Sequence, residues 1–358
     1  MRQKHSDYMH WAKTESRARY NLATSGVGPF PMRELGYPLE RLEINGGNSY
    51  GYPPLNQAIA DRHGVDVDCV VTAAGTSMAN YLAFATMLDA GDEVLMEHPT
   101  YGLLTDAARS VGAEVKPFAR TEESGYALDP AEVRRAITPR TKLIVVTNLH
   151  NPSSVLTSNA VLREVGDLAR SVGARVLVDE VYLDLAFSRQ PRSSFHLGPQ
   201  FVVTSSLTKA YGLSGLRCGW VLAEPELARR MWRLNDLMDA SRVHVAERMS
   251  VIALDHLEQL AARTRKLLET NRRLLDRFLN LQDENLETVR PEFGTIVFPR
   301  LRRGTAADFC KLLRDQFETT VVPGDFFEMP QHFRLGIGGD SKTLEAGLER
   351  LAAALDVF

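Results

Sequence analysis

The chain has 358 residues, a formal net charge of -3, 24% charged residues and 44% hydrophobic residues. Because single cores rarely grow beyond ~250–300 residues, this length predicts two domains. The composition is typical of a soluble globular protein, and the small net charge argues against the basic surface that nucleic-acid binding requires. We therefore expect small molecules, or a second copy of the chain, as partners.

The cysteines and the apolar runs bear on where the protein works. Cys69, Cys218 and Cys310 are odd in number and far apart, so neither a disulfide framework nor a metal site is predicted. The N-terminal residues lack the apolar segment of a signal peptide, and no stretch approaches the ~18 apolar residues of a membrane span. The expected location is the cytoplasm, with no membrane contact.

Strand and helix patterns alternate through the middle of the chain. Short apolar runs predict strands at 69–74, 93–96, 114–117, 142–147, 175–179, 201–204 and 218–222. Helical spacing predicts helices at 77–88, 101–111, 130–136 and 159–172. Strands that are apolar at nearly every position are typical of a mostly parallel sheet with helices on both faces. This part of the chain is therefore predicted to be an α/β domain.

The C-terminal part has a different pattern. Residues 224–281 are predicted to be almost entirely helical, and their dense charges are typical of a solvated helix face. A smaller α+β domain is predicted from strands at 294–299, 320–323 and 332–337 and helices at 306–317 and from 341 onward. The predicted division is an N-terminal segment at 1–35 that packs with the small domain, a large domain at 36–255 and a small domain at 256–358.

Lys209 follows an apolar strand, with Ser206 three residues before it and Arg217 eight residues after it. A lysine forms a Schiff base only as the neutral amine, which requires a desolvated or cationic setting. Ser206 and Arg217 suit a phosphate dianion. The spacing therefore suits an aldehyde cofactor held by its carbonyl and its phosphate, and the alternative is an ordinary surface lysine.

Two polar residues follow neighbouring predicted strands. Asp179 ends the strand at 175–179, and ligands of open parallel sheets bind at the carboxyl ends of the strands. A carboxylate there needs a cation, and a protonated pyridine nitrogen would serve; helix capping or an arginine partner is the alternative. Asn151, in an Asn-Pro turn, lies one strand-helix unit upstream, so the two side chains are expected to share a ligand.

Three further signals have both a functional and a structural interpretation. Gly75, Thr76 and Ser77 join a strand to a helix, where a phosphate is readily held, although either hydroxyl could simply cap the helix. Tyr101 offers an aromatic face at the same sheet edge, or else belongs to the core. Arg334 lies inside an apolar strand and needs an anion, which is either a substrate carboxylate or a salt-bridge partner.

Taken in this order, the Asn-Pro, Asp-x-x-Tyr and Ser-x-x-Lys motifs resemble those of the class I/II aminotransferases, which are fold type I pyridoxal-phosphate enzymes. The resemblance covers residues 26–334. It implies a large domain with a mostly parallel seven-stranded sheet between helices, and a smaller α+β domain. It also implies that pyridoxal phosphate is the cofactor and that an amino group moves from an L-amino acid to a 2-oxo acid.

The same resemblance implies a role for each matching residue. Lys209 would be the Schiff-base lysine and proton shuttle, and Asp179 would pair with the ring nitrogen. Asn151 and Tyr182 would bind the phenolic oxygen, while Tyr101 would stack on the ring. The phosphate would be bound by Gly75, Thr76, Ser77, Ser206 and Arg217.

The resemblance extends to the substrate and to assembly. Arg334 and Asn151 would bind the substrate, with Arg334 on its α-carboxylate, and Gly26 lies where the substrate-facing N-terminal segment is expected. Tyr50 would reach the phosphate of the neighbouring subunit, so a homodimer with shared sites is expected. Ser154 replaces the usual glycine of the Asn-Pro turn, and no second arginine marks a dicarboxylate substrate.

Two other functions stay open. The run at 208–220 and the segment at 24–27 also resemble cyclising enzymes that form capreomycidine, and the run at 75–80 resembles aminocyclopropane-carboxylate synthases. A pyridoxal-phosphate-dependent lyase or cyclase is therefore the main alternative to an aminotransferase. A non-catalytic cofactor-binding sensor is a more remote alternative, because no helix-turn-helix pattern precedes residue 35.

Overall fold

A computed structural model describes residues 4–36, 42–189 and 191–358. Residues 1–3 of the predicted N-terminal segment, and residues 37–41 and 190 of the predicted large domain, lie outside the described ranges. Within these ranges no helix is both long and apolar enough to cross a membrane.

A seven-stranded sheet forms the centre of the molecule. Its strands are β2 (Val70–Ala74), β3 (Glu93–His98), β4 (Glu114–Ala119), β5 (Thr141–Thr147), β6 (Arg175–Asp179), β7 (Phe201–Ser206) and β8 (Cys218–Leu222). Their order is β2-β8-β7-β6-β5-β3-β4, and only the pairings of β8 with β2 and with β7 are antiparallel. The predicted mostly parallel sheet is confirmed.

Helices cover both faces of this sheet, which explains why its strands are apolar throughout. They are α2 (Pro53–His63), α3 (Thr76–Met87), α4 (Gly102–Ser110), α5 (Pro130–Ala136), α6 (Asn159–Ser171), α7 (Pro225–Asn235) and α8 (His244–Asp255). Along β5, Leu143 and Val145 pack into one apolar cluster, while Ile144 and Val146 pack into the other. Successive side chains of a strand point to opposite faces, so both faces need apolar residues.

Short strands and three helices make up most of the C-terminal part. They are α9 (Leu257–Leu281), β9 (Leu286–Glu287), β10 (Ile296–Val297), β11 (Arg300–Leu301), α10 (Ala306–Phe317), β12 (Thr319–Thr320), β13 (Val322–Pro323), β14 (Phe333–Gly336) and α11 (Ser341–Leu355). Near the N-terminus, β1 (Tyr20–Asn21) pairs in parallel with β12. The division into a segment and two domains stays a prediction.

The helical stretch predicted at 224–281 is wrong in one place, because residues 236–243 form a loop between α7 and α8. Tertiary hydrogen bonds hold this loop. The Arg242 guanidinium donates to the Thr72 carbonyl oxygen at 2.6 Å and to the Asn235 side chain at 3.2 Å. The Arg242 carbonyl accepts a hydrogen bond from Asn48 at 2.8 Å. These distant partners outweigh the local helical preference.

A second element that sequence reasoning missed is the helix α1 (Asp7–Thr14). Ser6 caps it by accepting a hydrogen bond from the Met9 amide, and Asp7 lies in its first turn, where a negative charge is favourable. These signals are present in the sequence. The helix is only eight residues long, however, and its position depends on tertiary contacts.

A buried ion pair joins β3, β4 and the segment that follows β5. The Arg120 guanidinium donates to Glu97 Oε2 at 2.7 Å, to the Tyr126 carbonyl at 2.8 Å and to Thr157 Oγ1 at 3.3 Å. Both side chains of the pair have 0% exposure. Breaking such a pair leaves one buried charge without a partner, which typically costs about 3–5 kcal/mol.

We therefore expect Arg120→Met to lower the free energy of unfolding by about 3–5 kcal/mol, seen as an earlier midpoint in urea denaturation of the cofactor-free chain. Arg140→Met is the matched control, because Arg140 pairs with Glu114 at 2.9 Å on the surface. That exposed pair should contribute about 1 kcal/mol or less. Equal shifts in the two variants would contradict the prediction.

Candidate active site

The carboxyl ends of β5, β6 and β7 meet the N-terminus of α3 around a cavity of about 200 Å³. The topology places them together, because parallel strands end at the same edge of a sheet. The cavity is lined by nine of the predicted residues: Thr76, Ser77, Tyr101, Asn151, Asp179, Tyr182, Ser206, Lys209 and Arg217. Gly75 and Gly26 adjoin lining residues, and Arg334 bonds to Asn151.

Asp179 is the one acidic residue among the described residues that line this cavity. It is 4% exposed, and its two carboxylate oxygens accept hydrogen bonds from Asn80 Nδ2 at 2.8 Å and from the Val181 amide at 3.0 Å. Burial raises the pKa of Asp179 to about 6, although both hydrogen bonds and the Lys209 amine lower it. Asp179 forms no ion pair with any described residue. The Asp179 carboxylate is therefore suited to pair with a cationic group of a ligand.

Lys209 follows β7, and its amine donates to Ser25 Oγ at 2.8 Å. Burial lowers the pKa of this amine from its ordinary value, and the Arg334 and Arg217 guanidinium groups lower it further. The Tyr8 and Asp179 oxygens oppose this shift. The neutral amine is the nucleophilic form, so this setting favours attack by Lys209 on a carbonyl carbon.

The N-terminus of α3 and the segment before β8 provide a group of hydrogen-bond donors, which we call the cradle. Arg217 has φ 50°, and its guanidinium donates to the Ala74 carbonyl oxygen at 2.9 Å. Gly75 has φ 80°, and a Cβ atom built there would lie 2.3 Å from Arg217 Nη2. Ser206 and Ser77 line the same cavity. Hydroxyls, a guanidinium and a helix N-terminus are together suited to a phosphate dianion.

Arg334, in β14, is buried beside the cavity. Its guanidinium donates to Asn151 Oδ1 at 3.0 Å and to the Tyr8 hydroxyl at 2.8 Å. No described carboxylate pairs with Arg334, so the salt-bridge alternative does not apply to the described residues. The Tyr101 ring packs edge-on against Tyr8, with 5.3 Å between ring centroids.

The remaining two predicted residues lie at the rim or outside. Gly26 packs against the Lys209 backbone, since a Cβ atom there would lie 3.3 Å from Lys209 Cα. Tyr50 is 44% exposed, and its hydroxyl accepts a hydrogen bond from Arg233 at 2.8 Å. Tyr50 therefore does not reach the cavity of its own chain.

Sequence reasoning missed the other six lining residues: Met9, Ser25, Asn80, Thr147, Val181 and Thr208. A signal for Asn80 existed, because it follows Thr76 by four residues and so shares its helix face. Thr204 then donates to Asn80 Oδ1 at 2.6 Å and fixes the amide that binds Asp179. No local pattern places Met9 at the cavity, because α1 reaches it through tertiary packing.

The family model for aminotransferase class I and II matches residues 42–351. The chain belongs to this family. It is 30% identical over 353 residues to capreomycidine synthase of Streptomyces vinaceus, covering 95% of this chain and 90% of the relative.

Solved structures of family members are similar over the whole chain. A PLP-dependent aminotransferase from Streptococcus suis has a TM-score of 0.93 and 28% identity, covering 100% of this chain and 99% of that one. The PLP-dependent cyclase OrfR has a TM-score of 0.90 and 26% identity, covering 100% and 98%. The fold type I architecture is therefore confirmed, and the chain is a pyridoxal-phosphate-dependent enzyme.

The described residues fit this cofactor. Asp179 is a buried carboxylate that needs a cation, and Lys209 is an amine with a lowered pKa. Two buried hydroxyls of the cavity, those of Tyr182 and Thr76, have no hydrogen-bond partner within the described ranges. Buried polar groups are nearly always satisfied, so these orphan hydroxyls indicate a polar ligand.

We expect Gly75→Ala to weaken the binding of pyridoxal phosphate by about tenfold or more, because the new Cβ displaces the Arg217 guanidinium from the cradle. The measurement is an absorbance titration of the cofactor-free chain. Gly64→Ala is the control: Gly64 also has positive φ, 61°, but no atom lies within 4 Å of its Cβ position. An equal loss in both variants would show that strain alone is responsible.

Proposed function

We propose that this enzyme is an aminotransferase that moves the amino group of an L-amino acid to a 2-oxo acid. One observation carries the proposal: the Lys209 amine lies in the same cavity as Asp179, and Arg334 bonds to Asn151 of its lining. A base, an electrostatic partner for a cationic ring and an anchor for an α-carboxylate are thus adjacent. These are the groups that chemistry at an amino-acid α-carbon requires.

The contacts with the cofactor that the family resemblance implies suit the chemistry of each residue. Asp179 would hold the ring nitrogen in its protonated form, and Asn151 and Tyr182 would donate to the phenolic oxygen. Tyr101 would stack on the ring. The phosphate would be bound by Gly75, Thr76, Ser77, Ser206 and Arg217. When bound, pyridoxal phosphate supplies a reactive aldehyde and a ring that withdraws electrons from the substrate α-carbon.

Each of the proposed catalytic and substrate-binding residues would have a separate role. Lys209 would hold the cofactor through Nζ, and its free Nζ would be the base that takes the α-proton of the substrate. Arg334 and Asn151 fix the α-carboxylate and so orient the α-carbon toward Nζ. Burial lowers the pKa of Nζ and so favours its neutral, basic form. The protonated Nζ would then return the proton, and a 2-oxo acid would accept the amino group in the second half-reaction.

A cyclising or eliminating reaction is the second candidate. It is favoured by the similarity to capreomycidine synthase over 95% of the chain and to a cyclase structure over its whole length. The same base and anchor serve such a reaction, because it too begins with loss of the α-proton. In this case a leaving group departs from the β-carbon, and the amino group stays on the substrate carbon skeleton.

A single-turnover experiment separates the two. The loaded enzyme is mixed with individual amino acids, including arginine and β-substituted ones, without a 2-oxo acid, while the visible spectrum is recorded. Accumulation of pyridoxamine phosphate, reversed by a 2-oxo acid, supports transamination and identifies the donor. Product release with the original spectrum restored supports the lyase or cyclase instead. Binding of amino acids without any product would contradict both and favour the non-catalytic sensor.

Lys209→Ala should lower the turnover rate by more than about a thousandfold, since it removes both the covalent attachment and the base. The variant should still bind pyridoxal phosphate non-covalently, as checked by dialysis and absorbance. Lys142→Ala, at an exposed position of β5, is the control and should retain normal turnover. Substantial turnover in Lys209→Ala would overturn the assignment of Lys209.

We further propose that the enzyme works as a homodimer with shared sites. Tyr50 lies outside its own cavity, and its hydroxyl contacts Arg233 and Asp236 next to the loop at 236–243. This loop exposes Leu237 at 82%, together with Met238 and Val243. An apolar loop beside Tyr50 suits burial against a second copy, which would bring Tyr50 to the phosphate cradle of the partner.

Leu237→Asp should convert the dimer to monomers in sedimentation velocity, because a charge would be buried in the interface. Cofactor affinity should fall with it, since the Tyr50 contact is lost. Leu281→Asp is the control: Leu281 is 74% exposed at the end of α9 and should change neither property. A monomeric wild-type enzyme with full cofactor affinity would contradict the shared site.

A further inference from the structure

The helix α1 brings a hydroxyl to the predicted carboxylate anchor. Tyr8 is 8% exposed, and its oxygen lies 2.8 Å from Arg334 Nη2. The Tyr8 ring packs edge-on against Tyr101 and against Phe326, with centroid distances of 5.3 and 5.5 Å. Met9, the next residue, lines the cavity. Tyr8 is therefore fixed at the wall of the active site.

Arg334 keeps enough donors for a carboxylate while it is bonded to Tyr8. A guanidinium has five N–H groups, and the described contacts of Arg334 use one on Nη1 and one on Nη2. Its Nε atom is buried without a hydrogen-bond partner in the described ranges. A bidentate carboxylate needs two donors. Tyr8 consequently does not have to leave when a carboxylate binds.

The Tyr8 hydroxyl is itself a free donor. It accepts its bond from Arg334, so its own proton points to another acceptor, and no described residue accepts it. A carboxylate oxygen on the neighbouring donors of Arg334 is an acceptor of the right charge. Burial of the site strengthens such a hydrogen bond, because water does not compete for it.

We propose that the Tyr8 hydroxyl, together with Arg334, binds the substrate α-carboxylate. This inference rests on the proposed function, in which Arg334 is the carboxylate anchor. It makes the N-terminal helix α1 part of the substrate site. The ligand class is an α-amino acid or 2-oxo acid. The binding of an amine that has no carboxylate should not depend on Tyr8.

The test compares Tyr8→Phe with the wild-type loaded enzyme by spectral titration. One probe is 2-methylalanine, which has a carboxylate but no α-proton and so binds without turnover. The other is tert-butylamine, in which a methyl group replaces that carboxylate and which likewise has no hydrogen on the carbon that bears the amine. Tyr8→Phe removes only the hydroxyl and retains the ring contacts. Trp11→Phe is the control, because Trp11 lies on α1 and contacts Phe326 at 5.4 Å between ring centroids.

Tyr8→Phe should weaken 2-methylalanine binding about tenfold to a hundredfold, the usual effect of losing a hydrogen bond to a charged group. Binding of tert-butylamine should change less than about twofold, and Trp11→Phe should change the binding of neither probe. Unchanged 2-methylalanine binding in Tyr8→Phe would overturn the inference. Tighter binding would also overturn it, because Tyr8 would then block Arg334.

Arg334→Ala separates this inference from the function on which it rests. If it weakens 2-methylalanine binding and Tyr8→Phe does not, Arg334 is still the carboxylate anchor and only the role of Tyr8 fails. If Arg334→Ala leaves 2-methylalanine binding unchanged, the carboxylate is held elsewhere, and both the proposed anchor and the role of Tyr8 fall together.

Discussion

The structure depends on the cost of burying charge at one edge of the sheet. Asp179 and Arg334 are buried and Lys209 is partly buried, yet none of them forms an ion pair with a described residue. Burial shifts the pKa of Asp179 up to about 6 and that of Lys209 down, so each group is closer to neutral than in water. A cationic ring, an aldehyde and a carboxylate would give Asp179, Lys209 and Arg334 a partner each, which is consistent with the cofactor and with the proposed substrate class.

Neutral hydrogen bonds keep these groups in place until a ligand binds. Asn80 holds Asp179, and Thr204 in turn holds Asn80, so the carboxylate is fixed by two adjacent elements, α3 and β7. Ser25 similarly holds the Lys209 amine. These neutral partners fix the positions of the side chains but do not neutralise their charges. The site is therefore ordered and still able to bind charged groups of a ligand. Preorganised groups of this kind stabilise charge without reorganising during the reaction.

The sheet and most of the cavity were predictable because their signals are local. A polar residue directly after an apolar strand, such as Asp179, lies at the carboxyl edge wherever that strand is placed in the sheet. Asn80 follows from the helix repeat once Thr76 is assigned. Tyr8 and Ser25 have no such signal, since only the packing of the N-terminal segment brings them to the cavity. The loop at 236–243 was missed because hydrogen bonds from Asn48 and to Thr72 override its local preference.

The choice between transamination and cyclisation depends on different residues from those that remove the α-proton. In both proposed reactions Lys209, Asp179 and Arg334 would act at the α-carbon, so these three residues would not determine which reaction occurs. The two reactions differ in what happens at the β-carbon and to the amino group. The residues around the substrate side chain would determine this difference. The family match begins at residue 42, whereas Tyr8, Met9 and Ser25 precede it. The N-terminal segment therefore adds Met9 and Ser25 to the cavity, and the Tyr8 hydroxyl to Arg334, from outside the range that the family model matches.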